Sequence, residues 1–441
     1  MKRLLSLLLC AVLALFCATT AQAAGVSITL TASEYALHYA FDAGAQDPFV
    51  ILEYATPAEK GWMMLYSEDG HFEGDVSLAY SGAGGKTSVA LTSARTTGSI
   101  GKASTTLPKA VDYQKPTGKS NAKVMDFVLT ETTEGFHYAF NAAGTDYMLL
   151  YWRSKEQTVT QPVYPDENGH YEGDVVSELT FARTQFTVQV KSGSGSMKKE
   201  ATVRKGYQVP EAPQRQEGRL SGVTVCIDAG HQENGRFVNE PIGPGLSGST
   251  SGKGGMAQGT KTNRRESIVC LEIGMLLRDE LLRQGANVVM TREDQTTFHT
   301  NIERCEIAEA GGAQIMLRLH CNNSSNRSKR GIQVYGPLNS DYAKAVADAD
   351  TYREMGQKLL DAMKTRVGMT LANSTGMVRL NDNYVGNNWA KMMCFLVEMG
   401  YLSNPAEEYL LVTPVYQQWL AEGMADGVYE IAVARGWVQA Q

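Results

Sequence analysis

The sequence predicts a multidomain protein: two tandem all-β sandwich-like modules, followed by an α/β domain with a mostly parallel sheet flanked by helices. Three observations carry this expectation. The chain has 441 residues, and at about 150 residues per domain that length implies about three folding units. The segment Leu37–Asp42 returns as Phe136–Asn141 and Asp69–Val76 returns as Asn168–Val175, so that His38 recurs as His137 and His71 as His170, each 99 positions on. In the last half of the chain the rhythm changes, and continuous apolar runs alternate with helix-periodic stretches.

Taken in order, Lys2 and Arg3 precede an apolar run from Leu4 to Ala18 that ends at Ala21-Gln22-Ala23, the pattern of a secretory signal peptide over residues 1–23. No later segment approaches 18 unbroken apolar residues, so no membrane span is expected after signal cleavage. The two β modules are expected over 24–110 and 120–205, from alternating runs such as Val26–Leu30, Phe49–Tyr54 and Phe186–Val190 punctuated by DG, NG and GG turns. His38, His71, His137 and His170 sit at matching places in the copies, beside hairpin turns, where histidines are expected to pack and hydrogen-bond locally rather than to hold a ligand. Residues 206–218, with two prolines and mixed charge, read as a linker into a third domain over 219–441.

That domain reads as a strand at Val223–Ile227, a helix from Glu266 to Gln284 stopped by Gly285, and a strand at Ala286–Met290. A helix over Asn301–Ala310, strands at Gln314–Leu319 and Ile332–Tyr335, and a helix over Tyr342–Arg366 follow. A buried strand at Met392–Val397 and a closing helix over Pro414–Arg435 complete it. Strands alternating with helices argue for a parallel sheet covered on both faces.

Composition excludes several function classes. Lys plus Arg number 41 against 47 Asp plus Glu, and the net charge of -6 offers no electrostatic basis for binding nucleic acid. No CxxC pair occurs among the seven cysteines, which removes zinc ribbons and thioredoxin-like sites. Without Cys10 and Cys17 of the leader, an odd set remains (Cys226, Cys270, Cys305, Cys321, Cys394), all in apolar segments. Buried thiols are expected there rather than a full disulfide set. A monomer is the default expectation.

In an open α/β sheet the chemistry gathers at strand carboxyl ends. Those ends carry Asp228-Ala229-Gly230-His231, Leu319-His320-Cys321-Asn322 and Glu398-Met399-Gly400. His299, in a polar loop with no strand to aim it, is expected at the surface. Glu266 opens a helix, where the macrodipole alone accounts for a carboxylate. Together with His231 and His320, however, it completes a recurrent three-ligand set for a catalytic Zn2+ with a fourth position left for water. Glu398 then fits the second carboxylate, a proton acceptor outside the metal's own shell.

Across roughly Leu220–Gly436, these residues resemble the zinc-dependent N-acetylmuramoyl-L-alanine amidases of the amidase-3 type. The family's opening metal motif is similar to Ile227–His231, its glutamate ligand to Glu266 ahead of Leu271 and Ile273, its second histidine to Leu317–Asn322, and its catalytic glutamate to Leu396–Asn404. The resemblance implies that His231, Glu266 and His320 bind zinc and that Glu398 activates the water attacking the amide between N-acetylmuramic acid and L-alanine, making peptidoglycan the substrate. It also suggests weaker substrate-binding roles for Arg304, Asn388 and Trp389, and a supporting role for Asp228 behind the ligands.

Two features depart from the pattern. A Gly/Ser-rich insert spans Gln232–Arg265, and Cys321 follows the second histidine where a small residue is usual. Successive strand residues face opposite ways, so Cys321 is not expected to share a metal with His320. Gly243–Gly248 satisfies GxGxxG but neither follows a strand nor opens a helix, which removes the dinucleotide reading. Two other functions stand beside the amidase: a zinc peptidase acting within the stem peptide, and a non-catalytic wall-binding or regulatory protein. The leader implies a secreted protein, extracellular or wall-associated, or periplasmic where the source has an outer membrane. Tandem modules raise effective concentration, so the β pair is expected to dock to the wall or to a protein.

Overall fold

The computed structural model describes residues 19–22, 25–96, 98–116, 123–154, 156–177, 184–205, 209–232, 238–250, 255–368 and 377–440. The chain divides into two units, Met1–Tyr207 and Gln208–Gln441. The expected leader lies outside the described residues except for Thr19–Gln22, which pair antiparallel with Ser27–Leu30.

The first unit is all β. Its first half contains β1 (Thr19–Gln22), β2 (Ser27–Ala32), β3 (Ala36–Asp42), β4 (Phe49–Ala55), β5 (Glu59–Tyr66), β6 (His71–Ser77), β7 (Gly85–Ser93) and β8 (Ser99–Leu107). The second contains β9 (Val124–Glu131), β10 (Gly135–Ala142), β11 (Met148–Arg153), β12 (Gln157–Val163), β13 (His170–Val176), β14 (Thr184–Lys191) and β15 (Met197–Lys205). Each half is a sandwich with its own core, Leu37, Phe41, Leu52 and Leu91 in one and Phe136, Phe140, Trp152 and Val188 in the other.

The two sandwiches share a sheet. β5 and β12 pair antiparallel, with Lys60 opposite Thr158, so the larger sheets fuse into one of eight strands in the order β15-β14-β11-β12-β5-β4-β7-β8. The register of β4 on β5, Val50 opposite Leu65, returns as Met148 opposite Val163, each 98 positions on. Lys60 and Thr158 are themselves 98 apart, so their pairing lies on a local two-fold axis. For antiparallel neighbours that axis is normal to the sheet, and the two smaller sheets, β1-β2-β3-β6 and β13-β10-β9, therefore cover the same face of the shared one. At the junction the buried Glu59 carboxylate accepts from Ser81 Oγ, the Tyr80 N–H and Gln157 Nε2.

The second unit is α/β. Its elements are β16 (Thr224–Ala229), α1 (Glu266–Arg283), β17 (Asn287–Met290), α2 (Asn301–Ala310), β18 (Ile315–Asn322), β19 (Gln333–Gly336), α3 (Asp341–Val346), α4 (Ala349–Val367), β20 (Met377–Leu380), α5 (Val385–Trp389), β21 (Met393–Tyr401), α6 (Glu407–Leu411) and α7 (Pro414–Ala434). The strand order is β17-β16-β18-β21-β19-β20, parallel except that β19 runs antiparallel to β21. Strand parity sorts the two faces. Gly274 of α1 packs on Ile227, Ala229 and Leu319, while Cys226, Met316 and Cys394 form a cluster with Cys305 and Ala308 of α2. Cys226, Cys270, Cys305, Cys321 and Cys394 are all free thiols and buried.

Candidate active site

Asp228, Arg318, His320 and Glu398 share the α2 face because each lies an even number of positions from the clustered residues of its own strand. His320 and Glu398 are opposite one another in the β18–β21 register, which sets their backbones about 4.8 Å apart. Beyond β16 the chain closes over them. Gly230 donates its N–H to Leu319 O at 2.9 Å, and a Cβ there would come within 2.4 Å of that oxygen and 2.8 Å of His320 Nε2. Glycine alone permits this approach. The next residue, His231, takes a left-handed backbone with φ 57°, which turns its ring toward His320 at 4.9 Å between centroids.

Glu266, the first residue of α1, lies between the rings. Its Oε1 is 3.2 Å from His231 Nε2 and 2.9 Å from His320 Nδ1, and it also accepts from the Cys321 N–H at 3.0 Å. Its Oε2 accepts from the Ala257 N–H at 2.7 Å. The end of the insert forms a hairpin that delivers this residue: the Glu266 N–H donates back to Ala257 O, Gln258 bridges to Arg265, and Gly259 donates to Arg264 O. Glu408 holds the hairpin tip, accepting from Thr260 Oγ1 and from the Lys261 and Thr262 N–H groups. Burial opposes the Glu266 charge, but the two imidazoles outweigh it and keep the carboxyl well below its ordinary range. Burial likewise lowers His320.

These residues fit a divalent metal ion. One donor atom from each of His231, Glu266 and His320 falls within 4.8 Å of the others, and two neutral imidazoles with an ionised carboxylate are a donor set of the zinc type. His320 Nε2 and Glu398 Oε2 are both buried without a hydrogen-bond partner. Burial, followed by the negative charge of Glu266, raises Glu398 to about 8. Cys321 faces away from this group, toward Cys270 of α1.

Behind the ligands stands a fully buried ion network. Asp228 Oδ1 accepts from Arg304 Nη1 and from Thr291 Oγ1 (2.8 Å), and Oδ2 from Arg318 Nε (2.9 Å). Burial works against this carboxylate, yet the two guanidiniums hold it far below the usual range. Arg304 also donates to the carbonyls of Ala229 and His231 and to Gln232 Oε1. Arg292 donates to the carbonyls of Ala229, Gly230 and Ser267. Arg292 and Arg304 thus clamp the loop that carries His231, while Arg318 holds Asp228 in the strand that leads into it.

A cleft of about 600 Å³ opens over the group, with Glu398, Arg304 and Tyr384 among its walls. The insert is part of that wall, through Gln232, Val238, Glu240, Thr250, Gly255 and Ala257. Glu240 anchors it, accepting from Asn301 Nδ2 and the Ile302 N–H at the start of α2. His299 corrects the surface expectation: the Arg304 Nε bond to its carbonyl holds it half-buried at the cleft. Asn388 and Trp389 are placed beside the insert rather than in the cleft lining, with Asn388 Nδ2 donating to Ile242 O and Trp389 Nε1 to Pro241 O. Arg292, Arg318, Glu240 and Glu408 escaped the sequence reading. The signal for Arg318 was present, since a charged residue inside the apolar run Ile315–Leu319 requires a buried partner.

A carboxylate between two imidazoles, faced by a second carboxylate in a cleft at the carboxyl edge of a parallel sheet, defines the class as a hydrolase of the metal-site type. Residues 225–430 match the Amidase_3 family, described as N-acetylmuramoyl-L-alanine amidase. The chain is 26% identical over 231 residues to the germination-specific N-acetylmuramoyl-L-alanine amidase of Bacillus subtilis, covering 49% of this chain and 83% of that protein. It is 27% identical over 238 residues to the probable cell wall amidase LytH of Staphylococcus aureus, covering 52% and 72%. Among solved structures, the N-acetylmuramoyl-L-alanine amidase from Clostridium difficile 630 aligns with a TM-score of 0.38 at 24% identity, over 48% of this chain and 96% of that one. Residues 225–430 of the α/β unit form an amidase-3 domain, and the relatives it matches are named as N-acetylmuramoyl-L-alanine and cell wall amidases.

Proposed function

We propose that this protein is an exported, zinc-dependent amidase that cuts the bond between the lactyl group of N-acetylmuramic acid and L-alanine in peptidoglycan. The observation that carries the reading is the convergence of the His231, Glu266 and His320 donors within 4.8 Å, with Glu398 in register beside His320. In this reading those three residues hold the metal. Zinc there supplies Lewis-acid activation of the amide carbonyl and of water, and its charge offsets the repulsion that Glu266 exerts on Glu398. Glu398 is the catalytic residue, taking a proton from the attacking water and returning it to the leaving amine. The orphaned Oε2 supports this role, because a carboxylate oxygen with no protein donor is open to a water proton.

Arg292 and Arg304 act as positioning residues because they donate to the His231 loop, and Asp228 and Arg318 support them from behind through the buried ion network. Of the substrate-binding candidates, Arg304 borders the cleft, whereas Asn388 and Trp389 act through the insert they anchor. Residues 1–23 direct export, which the cell-wall relatives support. The β modules, 24–110 and 120–205, dock the enzyme to wall or partner, and 206–218 links them to the catalytic domain at 219–441.

The test incubates the full chain with purified peptidoglycan, with chelator and with zinc restored, and labels newly exposed amines. L-Alanine amines that vanish with chelator and return with zinc are expected; amines on D-alanine or on the diamino acid would overturn the substrate. Glu398→Gln should keep its metal and lose about 10²–10⁴ in rate, whereas His231→Ala should lose both. Full activity in the Glu398 variant would overturn the mechanism.

A further inference from the structure

The β unit carries a second kind of histidine cluster, and carries it twice. On the outer face of the first small sheet, β3 and β6 set His38 opposite Asp75, Ala40 opposite Glu73 and Asp42 opposite His71. On the second, β10 and β13 set His137 opposite Asp174, Ala139 opposite Glu172 and Asn141 opposite His170. The alanine in each middle row leaves the glutamate room between the two rings. His38 Nε2 lies 3.3 Å and His71 Nε2 3.6 Å from the two oxygens of Glu73, and the second copy repeats this at 3.3 and 3.7 Å around Glu172.

All four Nδ1 atoms are engaged elsewhere: with Asp75 at 3.2 Å, Asp42 at 2.7 Å, Asp174 at 2.9 Å and Asn141 Oδ1 at 2.8 Å. For His170 this settles the tautomer. Asn141 Nδ2 donates to Asp126 Oδ2, so the amide turns its oxygen to the ring and Nδ1 must carry the proton. In a neutral ring the Nε2 lone pair then faces the Glu172 carboxylate, an arrangement that is repulsive unless a second proton on Nε2 or a cation lies between them. The other three rings each touch two carboxylates, which only accept, and a neutral imidazole has one proton to give. A ring held through Nδ1–H, with Nε2 turned to a carboxylate, is the orientation of a metal ligand. Ligands about 2.0–2.1 Å from a tetrahedral ion stand about 3.3 Å apart, close to the shorter separations here.

Packing does not account for the outward residues. Inward, Gly74 and Gly173 make room for the hydroxyl ends of Tyr39 and Tyr138, and Phe41 stacks on Phe72 as Phe140 does on Tyr171. The core therefore explains why those positions match in both copies. Exposed ion pairs add little stability, so the matching His, Glu and Asp on the outer face need another reason. The local two-fold axis also presents both stripes on one side of the unit.

We propose that each stripe binds one divalent transition-metal ion of the zinc class, His38, His71 and Glu73 in the first and His137, His170 and Glu172 in the second. The two Nε2 atoms flank the carboxylate rather than meet, and the donors of each stripe do not all lie within 4.8 Å of one another, so taking up a single ion requires the part-exposed rings to turn inward. This site is independent of the amidase chemistry, and its test removes the latter.

Full-length His231→Ala/His320→Ala protein, stripped with chelator, is dialysed against micromolar zinc and its metal content measured. Two ions per chain are expected, one after Glu73→Gln and none after Glu73→Gln with Glu172→Gln, while Asp75→Asn with Asp174→Asn weakens binding about tenfold. No bound zinc, or binding that survives both glutamine substitutions, overturns the proposal. Imidazole ¹⁵N spectra of the unsubstituted protein give a second reading, in which four Nε2 signals of the β unit move with zinc; rings that stay doubly protonated and unmoved at pH 7 overturn it equally.

Discussion

Both units place a glutamate between two histidines, and the two settings could hardly differ more. Glu73 stands on the outer face of a sheet, 58% exposed, with the histidines as its ion-pair partners. Glu266 is 4% exposed, gripped by two backbone N–H groups, and its histidines are held by strand register and a left-handed turn. The donor set is the same, but the supporting structure is not. Water screens the exposed set and leaves its rings room to move, whereas burial in the α/β unit fixes the geometry and makes each charge depend on its neighbours.

The buried ion network gives the sharpest way to break that contrast. Asp228→Asn leaves two guanidiniums, Arg304 and Arg318, without their anion at a site with no exposure. Losing one partner of a buried pair costs about 3–5 kcal/mol, and denaturant unfolding of the α/β unit should show a loss of that size. A loss below about 1 kcal/mol would mean that water reaches the network and that the two regions differ less than their burial implies.

A smaller effect should come from Glu407, a buried carboxylate that accepts from the Gly331 and Tyr401 N–H groups. Burial raises it to about 7, against 4.5 for the free side chain. Because the folded value is the higher one, its contribution is fully present below about pH 4.5 and is lost as pH rises through about 7, amounting to at most about 3 kcal/mol. Glu407→Gln should remove that slope, so wild type minus variant stability should fall between pH 4.5 and 7.5 and be flat above. An unchanged slope would show that the two N–H groups keep this carboxylate ionised despite its burial.

Much of the α/β unit was legible because its chemistry follows apolar runs. The first strand runs into Asp228–His231 and the last carries Glu398, though it continues to Tyr401, and the helix expected over Asn301–Ala310 is the one observed, opened by a Thr300–Glu303 capping box. The helix expected over Tyr342–Arg366 instead breaks at Ala347, because Asp348 accepts from the Thr351 N–H and starts a new helix. The direction of β19 was invisible, since an apolar run reads alike both ways. The repeat was plain in the sequence, but the fusion of its two sheets was not: it depends on three paired residues, Gln157–Val159 on Glu59–Gly61, whose pattern says nothing about a partner. In the site, hydrogen bonds from distant elements were beyond reach, and that is where Glu408 and Arg292 act.

The smallest effect is expected at the stripes, and it sharpens the comparison by its size. If the outer histidines served the fold, removing them would weaken the cross-strand pairs that join β3 to β6 and β10 to β13. Exposed pairs of this kind contribute little in water, and the inward faces of the same strands already carry the packing, through Tyr39, Phe41, Tyr138 and Phe140. His38→Ala with His137→Ala should therefore shift the metal-free melting temperature of the β unit by no more than about 2 °C. The same pair should abolish any stabilisation that zinc confers on that unit, because a ligand that binds only the folded state raises stability only while its site is intact. A large loss without metal would make the stripes structural, and the two copies would then match for the sake of the fold.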